Sequence, residues 1–152
     1  MLNRITRALK ELFDLDASAG ADDPQAVYSL ASAALMVEVI AADYDRLPEE
    51  QEALLRVLKR NFGLDEEAAD ALLARGEKAH RQSTDYFRFT SQINQYCTPE
   101  QKVALIEGLW QVAFADGELH QYEEHVIRRI ADLIHVPHME FIAAKHRAEG
   151  SV

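Results

Sequence analysis

The sequence has only one cysteine, Cys97, so it can form no internal disulfide and no zinc or iron–sulfur site that needs several cysteines. Four prolines and six glycines in 152 residues exclude a collagen-like or linker-dominated chain. No apolar run approaches the ~18 residues that a transmembrane helix needs. The residues that are present, 48% hydrophobic and 28% charged, suffice for one domain with a sizeable core.

Basic residues are also scarce, since 16 lysines and arginines face 26 aspartates and glutamates. The formal net charge of −10 argues against a nucleic-acid partner. The chain lacks a glycine-rich phosphate loop and a Gly-x-Ser-x-Gly nucleophile motif, and we expect it not to be an enzyme. Its first residues lack the apolar core of a secretory signal, so the expected location is the cytoplasm.

Apolar residues recur at helical spacing along most of the chain, and no stretch shows the alternation typical of a strand. Helices are predicted at about 25–42, 48–61, 65–80, 84–95, 99–115, 120–134 and 137–147, with one more over 1–15. Asp23 and Asp65 are predicted N-caps, and Thr98 with Gln101 fits a capping box. The predicted fold class is therefore all-α, a compact bundle of about seven or eight helices.

The predicted domain organisation begins with an amphipathic helix over residues 1–15, followed by a small, polar linker over 16–24. The helical domain extends over 25–147 and a tail over 148–152. Leu2, Ile5, Leu9 and Leu12 give the first helix one apolar face. That face either docks on the domain or makes a peripheral membrane contact through residues 1–15.

An internal repeat becomes visible when the chain is compared with itself at an offset of 73 residues. Ala42-Asp43 then falls on Ala115-Asp116, Asp45 on Glu118 and Glu50 on Glu123. Each copy reads as a buried helix, a short acidic turn and a second amphipathic helix. Two such helical hairpins, packed with pseudo-two-fold symmetry, would bury both apolar faces.

The two acidic turns support two interpretations. In the first, they are helix caps: Gly117 takes a positive φ, and Glu123 at N3 accepts the amide of the N-cap residue His120. In the second, they bind a hard divalent cation, which takes carboxylate oxygens. Asp43 and Asp116 need compensation under either interpretation, because a negative charge in the last turn of a helix opposes the helix dipole. The compensation is either structural, with amides at the start of the following helix donating to the aspartate, or a hard cation.

The pattern Ala-Asp-Gly-Glu with a further glutamate five residues later, on a repeated helix-turn-helix, resembles the TerB-like family of tellurite-resistance proteins. Related domains occur in a membrane-anchored DnaJ-like co-chaperone. The resemblance covers about 25–147 and is best over 109–133. The first copy departs from this pattern, since Tyr44 replaces the glycine and Asp45 the glutamate.

The resemblance implies an all-helical, non-enzymatic domain with an acidic surface suited to calcium, in a stress or tellurite-resistance setting. Carried over by position, the candidate metal ligands are Asp116, Glu118, Glu123, Asp43, Asp45 and Glu50. The cofactor expected is Ca²⁺ or another divalent cation. The alternative is a protein–protein interaction domain whose acidic turns are only helix caps.

Other features of the sequence point to structure or to a partner. His120 with Glu124, and His135 with His138, do not repeat the three-ligand pattern of a catalytic zinc site. Cys97 is expected to be a partly buried structural residue. Residues 84–96 are both aromatic and polar, and they either pack over the hairpins or present a face for a protein partner or self-association.

Overall fold

The computed structural model describes residues 23–41, 48–115 and 117–151. These residues form seven α-helices and no strand. The helices are α1 (Pro24–Ile40), α2 (Pro48–Phe62), α3 (Glu66–Gln82), α4 (Phe87–Tyr96), α5 (Pro99–Ala113), α6 (Gln121–Leu133) and α7 (His138–Ser151). The all-α prediction is confirmed. The helix predicted over 1–15 and nearly all of the 16–24 linker lie outside the described residues.

Local sequence signals set several of the helix ends. The Asp23 carboxylate accepts the Gln25 amide at 3.0 Å, and Pro24 occupies the first helical position of α1. The Asp65 carboxylate caps α3 by accepting the Ala68 amide at 2.8 Å. At the start of α5, the Thr98 hydroxyl accepts the Gln101 amide at 3.1 Å. These caps were predicted, and the structure confirms them.

Five helix ends differ from the prediction by two residues or more. α3 ends at Gln82 rather than near 80, and α5 ends at Ala113 rather than near 115. α1 ends at Ile40, with Ala41 as its C-cap, rather than near residue 42. α4 begins at Phe87 rather than near 84, because the Asp85 carboxylate accepts the Phe87 amide at 2.9 Å and holds a turn before the helix. α7 continues to Ser151, four residues beyond its predicted end near Arg147.

The repeat seen in the sequence is also present in the packing. α1 makes its most extensive contacts with α3, and α5 makes its most extensive contacts with α7. The cross-repeat pairs follow the same relation, since α2 packs on α5 as α1 packs on α6. α4 connects the two repeats and packs on α1 and α6. The bundle is thus built from two helical hairpins, α1–α2 and α5–α6, each followed by a third helix.

The core is centred on α1, which is apolar on most of its surface. Ala33, Ala34, Leu35 and Met36 are completely buried, as expected for a helix that is apolar all round. Gly76 on α3 permits the close approach to α1, because a Cβ there would lie 2.7 Å from the Cβ of Ala33. Within the described part of the chain, no helix combines the length and apolar character needed to cross a membrane.

Candidate cation site at the acidic turns

The candidate ligands predicted from the sequence fall into three groups. Asp43, Asp45 and Asp116 lie outside the described residues. Glu118 is exposed to solvent. Glu50 and Glu123, in contrast, are each only 2% exposed. Burying a carboxylate is costly unless hydrogen bonds or a positive charge compensate, so the burial of these two glutamates needs a physical explanation.

Glu50 and Glu123 occupy the same position in their helices. Pro48 is the first residue of α2 and Gln121 the first of α6, so both glutamates are at N3. The Glu123 Oε1 accepts the backbone N–H of His120 at 3.3 Å. The predicted hydrogen bond from the N-cap amide to Glu123 is therefore confirmed. The positive end of the helix dipole also favours a carboxylate at this position.

The two hairpins place both glutamates at one end of the bundle. The Tyr28 hydroxyl, near the start of α1, donates to the Gln101 carbonyl oxygen near the start of α5 at 3.1 Å. Later along both helices, Met36 Cε lies 3.2 Å from the position of a Cβ built on Gly108. The N-terminal parts of α1 and α5 thus contact each other, and so do their C-terminal parts. The two helices therefore run in the same direction.

The partner helix of each hairpin runs back along the first. The ring centroids of Tyr28, at the start of α1, and Phe62, at the end of α2, are 5.1 Å apart. In the second hairpin, Pro99 and Lys102 at the start of α5 line one groove with His135 and Val136, which follow α6. The first turns of α2 and α6 therefore lie at the same end of the bundle as the last turns of α1 and α5. This end, which contains Glu50 and Glu123, is called the acidic end below.

Gly117 accounts for the path of the chain after α5. Its φ of +87° lies in the left-handed region, where a residue with a Cβ is strained, and its amide donates to the Phe114 carbonyl oxygen at 3.0 Å. The predicted positive φ is confirmed. The sequence has Tyr44 at the matching position of the first copy, which is not among the described residues.

A cluster of aromatic side chains supports the second acidic turn from inside the bundle. The Trp110 side chain is completely buried, and its ring stacks on Phe114 with centroids 5.9 Å apart. Phe141 of α7 packs against the same indole at 5.1 Å. The Lys145 Nζ lies 5.3 Å from the indole centroid, within the range of a cation–π contact. Phe114 is the C-cap of α5, so the only tryptophan lies next to the start of the turn.

The described residues do not by themselves make a complete metal site. Among residues 23–41, 48–115 and 117–151, no three histidine, cysteine, aspartate or glutamate side chains form a group that could hold a metal ion. This applies also to the histidine pairs considered from the sequence. Any cation at the acidic end would need ligands from Asp43, Asp45 or Asp116 in addition to the glutamates, because Ca²⁺ takes 6–8 oxygens.

Cys97 lacks the surroundings of a reactive thiol. Partial burial raises the pKa of the Cys97 thiol, and the nearby Lys102 lowers it by a smaller amount. Its neighbour Tyr28 has a pKa raised to about 12, chiefly by burial and in part by the charge of a Cys97 thiolate. A raised thiol pKa reduces the thiolate fraction at neutral pH, which is typical of a structural cysteine.

Sequence reasoning missed a polar cluster between α1, α3, α4 and α6. The His80 Nε2 and Glu38 Oε1 are 2.8 Å apart, and each of the two side chains is about one-quarter exposed. Burial raises the pKa of the nearby Tyr86, while Arg129, which hydrogen-bonds the phenol, lowers it. These partners are about 40 residues apart in the chain, and no local signal in the sequence connects them.

The family comparison agrees with the fold and with the repeated turns. The family model described as tellurite resistance protein TerB matches residues 29–146, which is most of the chain. No curated protein and no solved structure gives a significant match. The matched range begins within α1, includes α2 to α6, and ends within α7. This chain belongs to the TerB family.

Proposed function

We propose that this TerB-family protein is a non-enzymatic module that binds a divalent cation, with Ca²⁺ favoured, at the acidic end. One observation carries the proposal: glutamates at equivalent positions of the two repeats, Glu50 and Glu123, are both buried. Asp43, Asp45 and Asp116 follow α1 and α5 in the sequence and would supply further oxygens, with Glu118 at the rim. Hard cations such as Ca²⁺ and Mg²⁺ prefer such ligands.

A comparison of two capping residues in this chain favours a functional role for the negative charge of Glu123. The capping box of α5 uses a neutral side chain, since the Gln101 Oε1 accepts the Thr98 amide at 2.8 Å. A glutamine therefore suffices to cap a helix in this fold. α6 uses Glu123 for the equivalent bond, in a more buried place where the charge is costly. A cation nearby would offset that cost.

The alternative function is a protein–protein interaction domain in which the acidic turns are only helix caps. The hydrogen bond from the His120 amide to Glu123 favours it, because that bond needs no metal. The exposed Phe87, Tyr122 and Met139 side chains are available for a protein partner or for self-association. The family name makes tellurite or another stress the setting to test first for either function.

Thermal unfolding of the metal-stripped protein tests the proposal against this alternative. Ca²⁺ at 100 times its Kd should stabilise the fold by about 2.7 kcal/mol, which raises the Tm by roughly 5–10 °C in a domain of this size. Mg²⁺, Mn²⁺ and Zn²⁺ are compared in parallel. Asp116→Asn should remove the Ca²⁺ effect with little change in the Tm of the metal-free protein. If no metal moves the Tm, the cation proposal is wrong, the acidic turns are helix caps, and a protein partner is sought next.

A further inference from the structure

A groove lies between the first turns of α5 and α7, at the end of the bundle opposite the acidic end. Its volume is about 450 Å³, and it is open to solvent. Val103 of α5, Val136 of the α6–α7 connection and the rings of Pro99 and Pro137 supply its apolar lining. We call it the α5–α7 groove.

Four ionisable side chains line the α5–α7 groove beside these apolar ones. They are Glu100 and Lys102 of α5, His135 of the α6–α7 connection and Glu140 of α7. None of the four forms an ion pair within the described part of the chain. The groove thus carries both signs of charge in nearly equal number, although the net charge of the protein is −10. Two acidic molecules repel each other less at such a patch than over the rest of their surfaces.

Met139 lies beside the groove and does not fill it. It directly precedes Glu140 in the first turn of α7, and its side chain is 84% exposed. A methionine side chain adapts to an irregular apolar recess through its flexible torsions, and methionines are common at binding surfaces. The chain therefore presents a projecting apolar side chain next to an apolar recess of sufficient size to receive one.

A projecting side chain next to a recess is the arrangement that a two-fold symmetric dimer uses. In such an interface one patch of surface serves both copies, so that each contact occurs twice. Met139 of each copy can then enter the groove of the other, with Lys102 of each copy next to Glu140 of the other. A strongly acidic or strongly basic partner fits less well, because it would meet a charge of its own sign in the groove.

We propose that a second copy of this chain docks on the α5–α7 groove and forms a two-fold dimer. Met139 of each copy is buried in the groove of the other, and Lys102 of each copy pairs with Glu140 of the other. The interface lies at the end of the bundle opposite the acidic end. The proposal therefore holds whether or not the acidic turns bind a cation.

Sedimentation equilibrium of the full chain, from micromolar to millimolar concentration, measures the monomer–dimer equilibrium. Met139→Ala should raise the dissociation constant of the dimer about a hundredfold, because each dimer loses two buried side chains and each contributes about tenfold. Phe87→Ala is the matched control, since Phe87 is also exposed but lies on α4, and it should leave the constant unchanged. Both side chains are exposed, so neither substitution should disturb the fold.

Charge reversal tests the pairing between the two copies. Lys102→Glu would place two carboxylates next to each other at both contacts of a dimer, and Glu140→Lys would place two ammonium groups there. Each variant alone should be monomeric at concentrations where the native chain is dimeric. An equal mixture of the two variants should form heterodimers, because residue 102 of each chain then meets the opposite charge at residue 140 of the other.

Lys78→Glu and Glu149→Lys are the controls for charge reversal, because both residues are exposed and neither lines the groove. Each should dimerise as the native chain does. A native chain that stays monomeric at millimolar concentration would overturn the proposal and leave the groove to another ligand. A dissociation constant unchanged by Met139→Ala, or a mixture of the two groove variants that stays monomeric, would also overturn it.

Discussion

Gln101 and Glu123 accept the same kind of hydrogen bond at N3 of two helices, but Glu123 is charged and more deeply buried. Each accepts the amide of its N-cap residue, at 2.8 and 3.3 Å respectively. Glutamine is the closest isostere of glutamate, so exchanging one for the other separates the cap from the charge. That exchange distinguishes a helix cap from a cation ligand at a single residue.

Glu123→Gln should leave the stability of the metal-free protein unchanged or slightly raise it, because the cap is retained and a buried charge is removed. It should also abolish the rise in Tm caused by Ca²⁺. Thermal unfolding with and without Ca²⁺ measures both effects. Glu124→Gln is the matched control, since Glu124 is the next residue and pairs with Arg128 and Lys145 at the surface. A Ca²⁺ response that persists in Glu123→Gln would exclude this residue as a ligand.

Ser32 provides a second prediction at the residue scale. Its side chain is completely buried in α1, and among the described residues its Oγ has no hydrogen-bond partner. Ser32→Ala removes that buried polar atom and introduces a better helix former, so the free energy of unfolding should rise by about 1 kcal/mol. Urea denaturation measures the change.

Ser29→Ala is the control for this prediction, because the Ser29 hydroxyl donates to the Ala26 carbonyl at 3.1 Å and lies near the surface. Its free energy of unfolding should change by less than about 0.5 kcal/mol. A clear loss of stability in Ser32→Ala would mean that the buried hydroxyl makes a favourable interaction in the native protein.

At the scale of the elements, α2 and α6 are followed by the same left-handed backbone conformation, but different residue types adopt it. Gly63 follows α2 with a φ of +62°, and His135 follows α6 with a φ of +63°. In both places the next amide turns back on the helix: Leu64 donates to the Lys59 carbonyl at 3.1 Å, and Val136 to the Ala131 carbonyl at 2.9 Å. This is the hydrogen bond of a Schellman motif.

Because the two helix ends are equivalent, exchanging the residue type at each should change the free energy of unfolding in opposite directions. Gly63→Ala should lower the free energy of unfolding by about 1 kcal/mol, because a Cβ is strained at positive φ. His135→Gly should raise it by about 0.5 kcal/mol, since the relief of strain exceeds the added freedom of the unfolded chain. Chemical denaturation of both variants provides the check. Changes of the same sign would show that the two helix ends are not equivalent.

The helices show how far local sequence determines this fold. Apolar spacing and the caps at Asp23, Asp65 and Thr98 were enough to predict seven helices within a few residues of their ends. Gly63 adopts its positive φ readily, because glycine has no Cβ. The equivalent conformation of His135 was not predicted, because histidine adopts it less often and has no distinctive local signal. The start of α4 was missed because the Asp85 carboxylate holds a preceding turn.

At the scale of the whole molecule, the repeat in the sequence predicted the two hairpins. It did not predict which side chains their packing buries. The sequence related Glu50 to Glu123, yet their burial depends on neighbours from other helices. The first turns of α2 and α6 lie at one end of the bundle because α1 and α5 run in the same direction. Tertiary contacts such as the hydrogen bond from Tyr28 to Gln101 show that direction.

Calorimetric titration of the metal-free full chain with Ca²⁺ tests the central claim most directly, with the fluorescence of Trp110 recorded in parallel. Trp110 is a suitable reporter because it stacks on Phe114 at the start of the second turn. We expect saturable binding that is lost when Glu50 and Glu123 are both replaced by glutamine in a protein that remains folded. Absence of saturable binding up to millimolar Ca²⁺, or equal binding by that double variant, would contradict the account.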